Sequence, residues 1–294
     1  MTAQRAAVPG ERIALASFVV GSILAGGNAV GVRFSNRELD PFWGAGLRFG
    51  LAAGLLIVIM TVLRLEPPRG RALTGAVVYG ALNFGAAFAF AYYGLVHVHA
   101  GFGQTLLAIV PLATLLLAVL HRQERLSVRA VVGTVLALAG IAVMSRAPLR
   151  EAVPLLSLLA LFAAALCFAE AAVLVRRFPR AHPVTINAVG MSTAAVLLLA
   201  LSAVAGESLE APERTATLFA LGYLITAGSI LVFVLYVVVL RYWDASRAAY
   251  VFVVAPVVTV ALSAWLDDEP IRIGLVLGGA LVLAGVYVGA LRPN

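Results

Sequence analysis

Ten long apolar runs, separated by short polar breaks, fill this sequence. A helix rises about 1.5 Å per residue, so about 20 apolar residues cross a bilayer core of roughly 30 Å. By that measure the chain predicts spans at roughly 13–32, 42–63, 72–92, 98–120, 128–145, 153–175, 184–205, 215–239, 248–266 and 273–291. The runs are continuous rather than alternating. A backbone in lipid must satisfy its hydrogen bonds within the segment, which favours helices over strands. The breaks carry turn chemistry: Asp40-Pro41, the stretch from Glu66 to Gly70, Pro148, Pro179 to Pro183, Ala211-Pro212 and Glu269-Pro270. The first run follows Arg5 and Arg12, as a signal peptide would. Its length and the lack of a clear cleavage site mark it instead as a retained first helix.

Composition sharpens the picture. Of 294 residues, 62% are hydrophobic and 12% charged. A soluble domain carries about 25% charged residues. So few charges cannot cover a water-facing surface, and the surrounding solvent is expected to be lipid. The net charge of +7 comes from 21 basic residues, all arginine, against 14 acidic ones. The arginines lie in short loops, which makes them topology determinants rather than a nucleic-acid footprint. Fourteen fall on the side of the termini and 6 on the other, with Arg48 inside span two. The positive-inside rule then places both termini in the cytoplasm of a bacterial-type inner membrane.

Catalytic and metal chemistry find little support. The single Cys167 excludes an internal disulfide and a multi-cysteine metal site. His97, His99, His121 and His182 lack metal-ligand spacing. Neither a nucleophile with its base nor a phosphate-binding loop is evident. No enzyme activity, cofactor or metal is expected.

The strongest signal is self-similarity. Residues 100–143 align without gaps on 245–288, with 12 of 44 positions identical. Leucine, alanine and valine matches are cheap in this composition. Pro111/Pro256, Glu124/Glu269, Gly133/Gly278 and Gly140/Gly285 are not. Upstream, Tyr79 and Tyr92 fall on Tyr223 and Tyr236 at a spacing of 144, and Pro41 on Pro183 at 142. The chain therefore divides into residues 1–147 and 148–294, two five-span copies forming one transport domain. Five is odd, so the second copy is inverted relative to the first. Inverted halves can exchange conformations and open a central cavity to each side in turn. The expected fold class is an all-α integral membrane protein of ten transmembrane helices in two inverted five-helix repeats.

These residues resemble the EamA-type branch of the drug/metabolite transporter superfamily. The resemblance is carried by Ala100 to Pro111, Glu124, Gly133 and Leu138-Ala139-Gly140, which recur as Ala245 to Pro256, Glu269, Gly278 and Leu283-Ala284-Gly285. Pro41 followed by Leu47-Arg48-Phe49 adds to it. It covers roughly residues 12–291 and implies a substrate path through the centre, with export of metabolites, amino acids among them.

Helical spacing nominates residues for that path. Tyr79, Asn83 and Phe90 share a stripe on span three, and Gln104 lies on span four. Tyr223 and Tyr236 on span eight and Tyr250 on span nine complete the expected substrate-binding set. Pro111 and Pro256 are expected to kink their helices and to serve as hinges. Ionisable groups inside spans are costly. Depth arithmetic pairs Arg48 with Asn28 towards the outer side and Glu170 with Asn187 towards the inner side, as gating or coupling clusters. A bilayer and a small solute are the expected partners. One chain holds both halves, so a monomer suffices, with a dimer the alternative.

The neutral, aromatic, weakly polar path suits amino acids with aromatic or apolar side chains, moved outward. A proton-coupled drug or nucleoside-type exporter is the alternative, and a channel-like facilitator the alternative of another class.

Overall fold

A computed structural model of the chain describes residues 9–97, 106–107, 109–144, 154–266 and 273–291. Among them the regular structure is entirely helical. Span one comprises Pro9–Gly26 and Asn28–Ser35, span two Pro41–Val62, and span three Arg71–Gly80, Ala81–Ala86 and Ala87–His97. Val110–Leu120 lies in span four, Val128–Met144 is span five, Leu155–Val175 span six and Pro183–Ala205 span seven. Span eight comprises Thr215–Ile225, Thr226–Leu231 and Val232–Tyr242. Span nine holds Ala245–Ala248 and Val251–Leu266, and span ten Ile273–Val286 and Tyr287–Leu291.

Local chemistry sets several of these boundaries. Pro41 and Pro183 open spans two and seven, where a missing N–H costs nothing and φ is already helical. Gly206, at φ 71°, closes span seven in a left-handed conformation that a Cβ would strain. Among the described residues, six helices are long and apolar enough to cross a membrane. Their outer faces expose large apolar side chains such as Val58 (59%), Phe219 (77%) and Val204 (86%). Water would penalise such a surface heavily, whereas lipid does not. The protein is an all-α integral membrane protein with the ten-helix architecture.

Packing follows the repeat. Span two lies along span seven, and span five along span ten. Span one packs on spans eight and nine, just as span six packs on spans three and four. Exchanging the two copies maps this set of contacts onto itself, as a twofold axis requires. Glycines show the same exchange at atomic scale. A Cβ on Gly285 would fall 2.5 Å from the Gly133 carbonyl oxygen, and one on Gly140 would fall 2.6 Å from that of Gly278. Those two contacts are each other's repeat equivalents. The apolar effect gives helices no drive to associate inside lipid, so close backbone approach supplies the attraction instead.

Candidate functional site

Two backbone devices bring polar groups into the middle of this bundle. Span three passes through a π-helical turn at Ala81–Ala86, and span eight does so at Thr226–Leu231, 145 residues later. A π turn inserts one residue and displaces carbonyls from the ordinary ladder. The prolines are the second device. Pro256 lies inside Val251–Leu266, while Pro111 opens Val110–Leu120 after a break at Ile109. Two equivalent mid-helix prolines are expected; Pro256 occupies such a position, whereas Pro111 starts a helix. Neither proline offers an N–H to the residue four positions back, which leaves the carbonyls of Leu107 and Phe252 without that partner.

Leu107 and Phe252 both line a central cavity of about 80 Å³ between the halves. This is room for a few waters. Spans one, three, four, six, eight and nine build its wall, with Phe88, Phe168, Phe233 and Phe252 as aromatic facets and Asn28, Tyr92 and Tyr236 as polar ones. Repeat equivalents face each other here. Phe88 and Phe233 are 145 apart, as are Leu107 and Phe252; Tyr92 and Tyr236 are 144 apart. Phe168 stands edge-on to Phe88, with ring centroids 5.4 Å apart, and 4.9 Å from Phe252.

Arg48 lies directly behind this wall and is fully buried. Its Nε donates to Ser229 Oγ at 2.8 Å. One terminal nitrogen donates to Asn28 Oδ1 at 3.0 Å and to the Gly228 carbonyl at 2.9 Å. The other reaches the Tyr92 hydroxyl at 3.5 Å. Phe49 and Phe88 offer ring faces at 5.0 and 4.9 Å. Gly228 belongs to the π turn, so the displaced ladder supplies the acceptor that Arg48 uses. The expected neighbourhood of Arg48 and Asn28 is present.

The pairing of Glu170 with Asn187 is corrected. Glu170 Oε1 accepts from His121 Nε2 at 2.8 Å, at the foot of span four. Asn187 Nδ2 donates to the backbone carbonyls of Pro183 and Phe233 at 2.9 and 3.1 Å. Span six packs on spans three and four, and span seven on spans two and three, so the two side chains meet different neighbours.

The remaining nominees separate by face. Tyr236 lines the cavity, and its buried hydroxyl has no hydrogen-bond partner among the described residues. Tyr79 and Asn83 are buried beside Phe84, with the Tyr79 hydroxyl and Asn83 Nδ2 also unpartnered among the described residues. Phe90 faces outward, 40% exposed. Tyr223 donates to the Leu24 carbonyl and joins span eight to span one. Tyr250 donates to the Ala130 carbonyl at 2.9 Å and meets Thr134 at 3.1 Å, joining span nine to span five. Gln104 lies outside the described residues. Helical spacing alone does not single out Phe88, Phe168, Phe233 or Phe252. The one signal for them in the sequence is the recurrence of Phe88 as Phe233 at the repeat spacing.

Polar contacts between the halves close both ends. On the side of the termini, Glu124 accepts from the Ser246 backbone N–H and hydroxyl. Arg176 bridges Glu124 at 3.5 Å and Asp244 at 3.2 Å. On the opposite side, Glu207 caps span two through the N–H groups of Phe42 and Trp43, at 3.1 and 2.7 Å. There Asp40 accepts from the Ser208 N–H at 2.9 Å. Glu38 accepts from the Glu213 N–H at 2.7 Å. The Thr217 hydroxyl and then that N–H lower the Glu38 carboxyl below the ordinary glutamate value.

Comparison with known proteins agrees with this architecture. The EamA-like transporter family matches twice, at residues 12–146 and 155–290. A protein named as a probable terminal-alkyne amino-acid exporter of Streptantibioticus cattleyicolor is 31% identical over 258 residues, covering 85% of each chain. The inner membrane transporter YedA of Escherichia coli K12 is 29% identical over 270 residues, covering 87% of this chain and 84% of that one. A crystal structure sharing 20% identity superposes with a TM-score of 0.77, over 95% of this chain and 96% of the other. That likeness shows a shared fold.

Proposed function

Because the chain belongs to the EamA-like transporter family, we propose that it exports small organic solutes with apolar or aromatic side chains, amino acids among them, by alternating access. The observation that carries this reading is a cavity between two inverted copies, walled by repeat-equivalent residues from both. Equivalent walls allow the copies to trade conformations, so that one site faces each side in turn. The residues assigned to the solute are Tyr236, Tyr92 and Asn28, with Phe88, Phe168, Phe233 and Phe252 as apolar facets. Tyr79 and Asn83 are assigned a place in the same path when the halves move. Pro111 and Pro256 are assigned the hinge role.

The arginine bias supports termini in the cytoplasm and outward transport across a bacterial inner membrane. The exporter from Streptantibioticus cattleyicolor supports amino acids as the solute class. A proton-coupled drug exporter would draw on a carboxylate in the cavity, and Glu170 is instead engaged with His121. The test is counterflow in proteoliposomes. Vesicles preloaded with unlabelled phenylalanine or leucine should accumulate the labelled solute transiently and saturably. Uptake equal to that of empty vesicles for both solutes sinks the proposal.

A further inference from the structure

We propose that Arg48, Asn28 and Tyr92 form a subsite for the carboxylate of the transported solute. The inference rests on the carrier reading above and names the charged group that the cavity recognises.

A guanidinium stays protonated in any protein environment. Arg48 is fully buried in a membrane-spanning helix, where an isolated charge is very costly. Yet no carboxylate lies within 4 Å of it among the described residues. Its surroundings are neutral acceptors and ring faces: Ser229, Asn28, the Gly228 carbonyl, Tyr92, Phe49 and Phe88. These lower the cost of the charge without neutralising it.

The hydrogen-bond inventory leaves donors over. Arginine carries five N–H groups. Nε uses one on Ser229, and the first terminal nitrogen uses two on Asn28 and Gly228. The second terminal nitrogen has two, with Tyr92 at 3.5 Å as its single contact among the described residues. Tyr92 accepts there and keeps its own proton to give. Asn28 turns Oδ1 to the guanidinium, which fixes Nδ2 as its donor end. It spends one N–H on Gly228 at 3.2 Å and keeps the second. Asn28 and Tyr92 line the cavity. Spare donors of three side chains thus gather around one uncompensated positive charge. A carboxylate provides two acceptor oxygens and the missing charge.

The repeat argues that Arg48 is not required by the fold. Pro41 aligns with Pro183, so the equivalent of Arg48 is Gly190. In the second copy the matching contact is apolar. Gly190 packs against Phe84, the equivalent of Ser229. The same helix pairing forms without a cation, so the positive charge is a property of one copy and of this end of the cavity.

Four aromatic probes test the subsite by thermal shift of the purified full-length protein. Phenylalanine and 3-phenylpropionate carry a carboxylate; phenylalaninamide and 2-phenylethylamine do not. The two carboxylates should stabilise the protein, and the other two should bind at least about tenfold more weakly. Arg48→Gln should erase that preference. Asn28→Asp places a carboxylate against the guanidinium and should itself raise the melting temperature while abolishing the response to both acids. It decides the matter if Arg48→Gln does not fold. Equal response to all four probes, no response to either acid, or a preference surviving Asn28→Asp overturns the subsite. Counterflow judges the carrier reading separately. Acid binding without counterflow sinks that reading and keeps the subsite; counterflow without acid preference does the reverse.

Discussion

The ring of Phe88 stands 6.0 Å from that of Phe233, its counterpart 145 residues later, in an edge-to-face arrangement at 74°. Two copies of one residue meet only where the axis relating the copies passes. This contact therefore marks the centre of the bundle, and both rings line the cavity there. Phe88→Ala and Phe233→Ala should weaken solute binding by similar factors, about tenfold each, from lost apolar contact worth about 1.5 kcal/mol. Isothermal titration or half-saturation in counterflow reads this. A large effect from one and none from the other would remove the cavity from the axis.

Close glycine contacts between spans five and ten make a second prediction. A Cβ at Gly140 would meet the Gly278 carbonyl oxygen at 2.6 Å, and one at Gly285 would meet that of Gly133 at 2.5 Å. Backbone cannot yield as a flexible side chain does. Gly140→Ala and Gly285→Ala should each cost about 1–3 kcal/mol, seen as a lower melting temperature in detergent. Gly54→Ala, with nothing within 4 Å of the added Cβ, should leave it unchanged.

Glu124 ties the two copies on the side of the termini through Ser246 and Arg176. Removing it biases the equilibrium towards opening that end. In a Cys167→Ser background with Ala91→Cys in the cavity wall, Glu124→Ala should speed thiol labelling from the terminal side by about fivefold to tenfold, a shift of about 1 kcal/mol. Unchanged labelling would mean these bonds do not govern access.

His182 caps span seven by accepting from the Val184 N–H through Nδ1, at 3.3 Å. Only the neutral ring can accept. Partial burial, and then the charge of Arg241, lower its pKa below the ordinary value, which is about 6.5. Its stabilising contribution is therefore full above about 6.5 and lost as the pH falls through the lowered folded value. The melting temperature should drop between pH 7 and pH 5. His182→Asn, which caps without titrating, should drop less.

The spans and the repeat were legible because both are written in long-range periodicity. Arg48 and Asn28 were legible as neighbours because depth along a span is simple arithmetic. Facing was harder. The stripe of Tyr79, Asn83 and Phe90 assumed 3.6 residues per turn throughout. The π turn at Ala81–Ala86 adds one residue and rotates the C-terminal part of span three by about 100°. Phe88 and Tyr92 consequently reach the cavity, and Phe90 turns to lipid. Glu170 was misplaced for a related reason. Which neighbour its helix face meets depends on the arrangement of spans three and four, on which span six packs.

The central claim is that one cavity serves both sides of the membrane. In the Cys167→Ser background, with Ala255→Cys in the cavity wall, an impermeant thiol reagent is applied to oriented proteoliposomes from one side or the other. The account predicts labelling from either side, with solute protecting against both. Labelling from one side alone, unchanged by solute, would contradict it.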